Sequence, residues 1–122
     1  MNGLYHKDIG FPEAVEQALN SAKEKGTRIK LWYGKHAYRA AHSDRYGTIN
    51  LPKRIAVAEA EAVEVEVVEN VLTKVVFRVH YDEIHDLAVV VMLKDGFVKT
   101  VWLNRKDDQH RTLNTSKYTL VH

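Results

Sequence analysis

From Ala62 to Glu69 the chain alternates, with Val63, Val65 and Val67 set against Glu64 and Glu66. Successive side chains of a strand point to opposite faces, so this pattern predicts a strand with one face buried and one wet. The same period returns from Lys74 to His80, where Val75, Phe77 and Val79 share one side and Val76, Arg78 and His80 the other. Leu87 to Leu93 is a continuous apolar run, as expected of a central strand, and Lys94-Asp95-Gly96 signals a hairpin into Phe97–Leu103. Earlier in the chain, Arg28 to Tyr33 alternates and stops at Gly34, and an extended run from Thr48 to Val57 is interrupted by Pro52, which demotes it to an edge or a bulge. A last short strand is predicted over Tyr118–Val121.

One segment has the helical period instead. From Pro12 to Lys25, Ala14, Val15, Ala18, Leu19 and Ala22 fall on one face, while Glu13, Glu16, Gln17, Lys23 and Glu24 face water. Proline suits the first helical turn, and Gly26 suits the position just past the last. The expected fold is therefore α+β: one N-terminal amphipathic helix packed on a mainly antiparallel β-meander, within a single domain spanning residues 1–122. Only residues 35–46 form a long connection without a clear period. They carry His36, Tyr38, Arg39, His42, Asp44, Arg45 and Tyr46, and read either as a solvated loop or short surface helix, or as a lid over a ligand.

A length of 122 residues is enough for one core, and 45% hydrophobic residues with a formal charge of +2 place the chain among globular proteins rather than disordered or polybasic ones. Bulk charge thus argues against a protein that coats nucleic acid. A local positive pocket is still compatible with a pI of 8.8 and seven histidines, which charge as pH falls towards ~6.5. The absence of cysteine removes disulfides and thiolate metal sites and fits a reducing cytoplasm. No apolar run approaches the roughly 20 residues of a membrane span, and Met1 to Lys7 lacks the apolar core of a signal peptide. An intact small reading frame is expected.

Candidate chemistry concentrates where the strand from Val98 runs into polar residues. Arg105, His110 and Arg111 offer cationic forks or a proton, Asn104 and Thr112 offer neutral hydrogen bonds, and Trp102 offers a stacking surface. These types suit a ligand carrying phosphate and a base. Asp107-Asp108, flanked by Arg105, Lys106 and Arg111, reads as ion pairs that fix the loop. Trp32 and Tyr33 end a strand, and only one of the two can face inward. Tyr81 to Asp86 gathers three carboxylates and a histidine, yet without a His-x-His or His-x-x-x-His pair it reads as a polar hairpin loop rather than a metal site. His36 and His42 do not share a helix face.

No Gly-x-Ser-x-Gly elbow, cysteine nucleophile or glycine-rich phosphate loop occurs, so acyl transfer and P-loop hydrolysis are set aside. Metal-free RNA cleavage stays open, with His110 as acid or base and Arg111 or Arg78 on the phosphate. In outline, a helix ahead of an antiparallel sheet with His, Arg and Thr near the last strands resembles the barnase/RelE-like ribonuclease toxins.

The opening Asn2-Gly-Leu-Tyr-His-Lys-Asp-Ile-Gly-Phe-Pro-Glu-Ala14, the Ile29-Lys-Leu-Trp-Tyr-Gly34 strand and the small size resemble the phage Thoeris anti-defence sponges, which sequester cyclic ADP-ribose-type signals. That resemblance implies a non-catalytic, phage-encoded homo-oligomer acting in the host cytoplasm. It further implies Arg28, Arg105 and Arg111 on the phosphates and Trp32 or Trp102 on the base. The residues lean the same way: a phosphorylated nucleotide asks for arginines, aromatic platforms and amides, and calls for no metal, cofactor or nucleophile. The expected partner is a small phosphorylated nucleotide, with nucleic acid entering only under the ribonuclease alternative.

Overall fold

A computed structural model describes residues 2–109 and 115–121. His110, Arg111 and Thr112, named above as ligand-binding or catalytic, lie outside the described residues.

The chain runs β1 (Gly3–His6), α1 (Glu13–Glu24), β2 (Arg28–Lys30), β3 (Trp32–Tyr33), α2 (Lys35–His42), β4 (Arg54–Ala56), β5 (Ala60–Val68), β6 (Val71–His80), β7 (His85–Met92) and β8 (Phe97–Arg105), with 3-10 turns at Val57–Glu59 and Thr115–Lys117. Six strands form one sheet in the order β1-β5-β6-β7-β8-β3, and β2 and β4 form a separate two-stranded ribbon. The α+β expectation holds, and β5 to β8 form the antiparallel meander that the alternation announced.

Helix α1 starts after Pro12, with Glu13 and Glu16 in the first turn and Lys23 in the last, the charge order that the helix dipole favours. It closes through Gly26, whose φ of +66° lets Gly26 N bond Lys23 O and Thr27 N bond Ala22 O. Val15 is buried in the core, and Leu19 and Ala22 pack beside it.

Residues 35–46 prove to be mostly helix, because Ala37 and Ala41 bring one small, fully buried face of α2 against β8. The helix stops at Ser43. Asp44 then accepts the Leu103 amide at 3.1 Å, and Ile49 N returns to Ala41 O at 2.9 Å.

Four expectations change. The N-terminal residues make an unforeseen edge strand, with Tyr5 opposite Val65 and His6 opposite Glu64. Arg28 to Tyr33 is not one strand: its first half pairs β4 and its second half pairs β8 in parallel. Val63 does not share a face with Val65 and Val67. A register shift between Ala62 and Glu64 turns Val63 towards Val76, Val90 and Trp102, while Val65 and Val67 enter the main core. Tyr118 to Val121 forms no strand; the described tail contributes one backbone bond to the sheet, Thr119 N to Leu4 O.

Candidate functional site

The place where Arg28 to Tyr33 changes partner is also where the fold opens. Exposure alternates along this segment: Arg28, Lys30 and Trp32 are exposed, Leu31 is buried, and Ile29 and Tyr33 are half-buried against the core. Leu31 N still bonds Lys53 O at 2.9 Å, whereas Trp32 N has crossed to Gly96 O at 3.2 Å. Between this crossing segment, α2 and residues 48–53 lies a groove of 640 Å³. Trp32, Tyr33, Tyr38, His42, Asn50 and Lys53 line it above a floor of Leu31, Ala41 and Ile49. A second recess of 380 Å³ shares Leu31 and Lys53 with it and adds Lys30 and Arg54.

The aromatic groups are held in place. Trp32 donates Nε1–H to the Asp95 carbonyl at 3.2 Å and rests on Phe97 with ring centres 4.5 Å apart, yet 51% of it remains exposed. Tyr38 is equally exposed and leans on Tyr33 at 6.0 Å. Tyr33 donates its hydroxyl to the Pro52 carbonyl, and burial, with Tyr38 nearby, pushes its pKa well above the usual phenol range, so it keeps that proton. Both residues line the groove, and each exposed, buttressed ring offers a stacking surface of its own, Trp32 on the Phe97 side of β3 and Tyr38 on the Tyr33 side.

Beside them the charged residues of the ribbon are all cations. Lys30 stands opposite Arg54, Arg28 lies two residues before Lys30, and Lys53 adjoins Arg54. Among the described residues none of the four forms an ion pair. Asp95, at the neighbouring turn, directs one carboxylate oxygen to the Phe97 amide at 3.0 Å.

The sequence-read site divides accordingly. Arg28 and Trp32 fall in or beside this groove. Trp102, Asn104 and Arg105 lie towards the far end of β8, where Arg105 is seven residues beyond Val98, the partner of Tyr33, or about 23 Å along an extended strand. There Trp102 packs on Val63, Val76 and Val90 and donates Nε1–H to Asn104 Oδ1 at 3.1 Å, on the sheet face opposite the main core. Arg105 forks onto Asp107 with two bonds of 3.2 Å, as the ion-pair reading expected.

Arg78 is buried and committed. Its Nε donates to Asp86 at 2.9 Å and its Nη2 to the Arg105 carbonyl at 3.0 Å, while Lys106 donates to the other Asp86 oxygen at 2.6 Å and to His80 Nδ1 at 2.9 Å. Burial works to raise the Asp86 pKa, but Lys106 and Arg78 outweigh it and hold the carboxyl below its usual range. A cleft of 380 Å³ brings Arg78, His80 and Asp86 together with Glu59 and Glu61. In the Tyr81 to Asp86 loop, Asp82 accepts the Ile84 and His85 amides, which lower its pKa, and so serves as a turn cap.

Sequence reasoning missed Lys30, Asn50, Lys53 and Arg54. The period-two pattern Arg28-x-Lys30-x-Trp32 was the available signal, but the pairing that adds Arg54 is non-local. Comparison with family models, curated proteins and solved structures returns no match.

Proposed function

We propose that this protein binds a small phosphorylated nucleotide without altering it, a base against Trp32 or Tyr38 and the phosphates among the cations Arg28, Lys30, Lys53 and Arg54. The observation that carries the reading is the cation set with no carboxylate partner among the described residues, set beside a groove with two exposed, buttressed rings. Cations left next to one another cost folding stability. An anionic ligand removes that cost and gains charge-assisted hydrogen bonds. His42 and Asn50 supply polar edges for the base.

The finer form of the proposal follows from the resemblance to the Thoeris anti-defence sponges. It is sequestration of a cyclic ADP-ribose-type signal by a phage-encoded homo-oligomer in the host cytoplasm. No described helix is long and apolar enough to cross a membrane. Within the described residues β4 pairs only with β2, which leaves a strand edge for a second copy, whereas the outer side of β1 already takes the Thr119 amide.

The test is a thermal-shift panel of ADP-ribose, cyclic ADP-ribose and mononucleotides on the full chain and on Trp32→Ala. A shift in the parent that Trp32→Ala loses supports the reading. No shift with any nucleotide removes it.

A second reading, metal-independent RNA cleavage, is favoured by one observation: Arg78, His80, Glu61 and Asp86 share a cleft. Cleavage of labelled RNA that His80→Ala abolishes would support it. Intact RNA after prolonged incubation would end it.

A further inference from the structure

Resting on the nucleotide-binding reading, the geometry points to a ligand with at least two bases joined by phosphodiester, threaded as a linear single strand: a short single-stranded oligonucleotide rather than a lone nucleotide. Three observations carry this inference.

The first is the number of platforms. A mononucleotide has one base to stack, and the groove has two rings for it. Trp32 and Tyr38 are separately braced, one by Phe97 and the Asp95 carbonyl, the other by Tyr33, and each leaves half its surface to solvent. Proteins that hold single strands without reading sequence pair such ring platforms with a positive track for the backbone.

The second is the shape of the positive charge. Arg28 and Lys30 are exposed residues at every second position of one strand, about 6.6 Å apart along it. Lys30 faces Arg54 on the partner strand, and Lys53 continues towards the groove. The cations therefore extend along a ribbon and away from the rings instead of converging on one point, as a single diphosphate would ask.

The third is continuity. The aromatic groove of 640 Å³ and the cationic recess of 380 Å³ share Leu31 and Lys53, so base-binding and phosphate-binding surfaces form one path open to solvent. A linear strand lays two bases in the groove and carries its phosphates outward over Lys53, Arg54 and Lys30 towards Arg28. Low net charge confines this to a short segment, since the track is local to the ribbon and the whole chain carries only +2.

The experiment uses the full chain and a fluorescein-labelled octathymidylate, read by anisotropy, with thymidine monophosphate, a linear di- and tetranucleotide, and a cyclic dinucleotide as unlabelled competitors. The proposal expects octamer binding, competition that strengthens at least tenfold from mono- to tetranucleotide, and a slope of log K against log salt of roughly −2 to −3, for about four phosphate contacts. Lys30→Ala with Arg54→Ala weakens binding tenfold or more, and Trp32→Ala does the same. Arg105→Ala, the loss of one positive charge at the far end of β8, leaves affinity within twofold, and circular dichroism confirms that each variant is folded. If the mononucleotide or the cyclic dinucleotide competes as well as the tetranucleotide, the linear-strand inference falls while the nucleotide reading stands. If the octamer does not bind, the linear-strand inference falls, and the thermal-shift panel decides the nucleotide reading separately.

Discussion

Lys30 and Arg54 face each other directly across the β2–β4 ladder, two cations in register with no acidic partner among the described residues. Like charges opposite each other weaken a strand pair. The fold therefore carries a local cost at the position where the proposed ligand places its phosphates. Lys30→Glu separates stability from function: it converts the repulsive pair into an attractive one and should stabilise the free protein by ~0.2–1 kcal/mol, while lowering nucleotide affinity at least tenfold. Urea unfolding and a binding titration on the same preparation check both signs. A destabilised variant, or one that binds as before, contradicts this account of the ribbon.

The turn that ends β7 sets the position of the ribbon. Gly96 has φ +78°, and a Cβ there would sit 2.0 Å from the Lys30 carbonyl oxygen. Gly26 has a similar φ of +66° with nothing within 4 Å. Alanine at Gly26 therefore costs only left-handed strain, ~1–2 kcal/mol. Alanine at Gly96 costs that and a displacement of Lys30, so it destabilises more. Because Trp32 N bonds Gly96 O and Trp32 Nε1 bonds Asp95 O, Gly96→Ala also weakens ligand binding, whereas Gly26→Ala does not. Chemical denaturation and titration of the two variants provide the comparison.

Asp86 governs acid stability at the other end of the sheet. Its folded pKa lies below its unfolded value, so its stabilising contribution is present above the unfolded carboxylate pKa of ~4 and is lost as pH falls through the lower folded value. Asp86→Ala leaves Arg78, whose side chain is 6% exposed, buried without its carboxylate, and should cost ~3 kcal/mol near neutral pH. The deficit relative to the parent should narrow at the acid end of a pH series of melts.

The meander was legible because its strands are long and its period is clean: the hairpin at Lys94-Asp95-Gly96 and the apolar run of β7 are local signals. Edge strand β1 was hidden because four residues, Gly3 to His6, offer too short an alternation, and their partner lies about sixty residues away. Helix α2 was one of the alternatives for residues 35–46, and polarity left it undecided against a loop. Lys35, His36, Arg39 and His42 mask a buried stripe of only two alanines. Val63 was assigned to the wrong face because a bulge leaves no mark on an otherwise regular pattern. For the site, the resemblance implied Arg28 and Arg105 on the phosphates and Trp32 or Trp102 on the base, which grouped residues from two distant places. Residue types do not report which end of a strand they occupy, and pairing of β3 with the start of β8 separates the two groups.

The chain has two tryptophans, and they report on the two ends of β8. The most direct test of the groove is therefore a fluorescence titration of Trp102→Phe, in which Trp32 alone emits, alongside Trp32→Phe, in which Trp102 alone emits, each with ADP-ribose and with a tetrathymidylate. Saturable quenching of Trp32, weakened by salt, with no response from Trp102, is the expected result. Quenching of Trp102 with Trp32 silent would place the ligand at the far end of β8 and contradict the account.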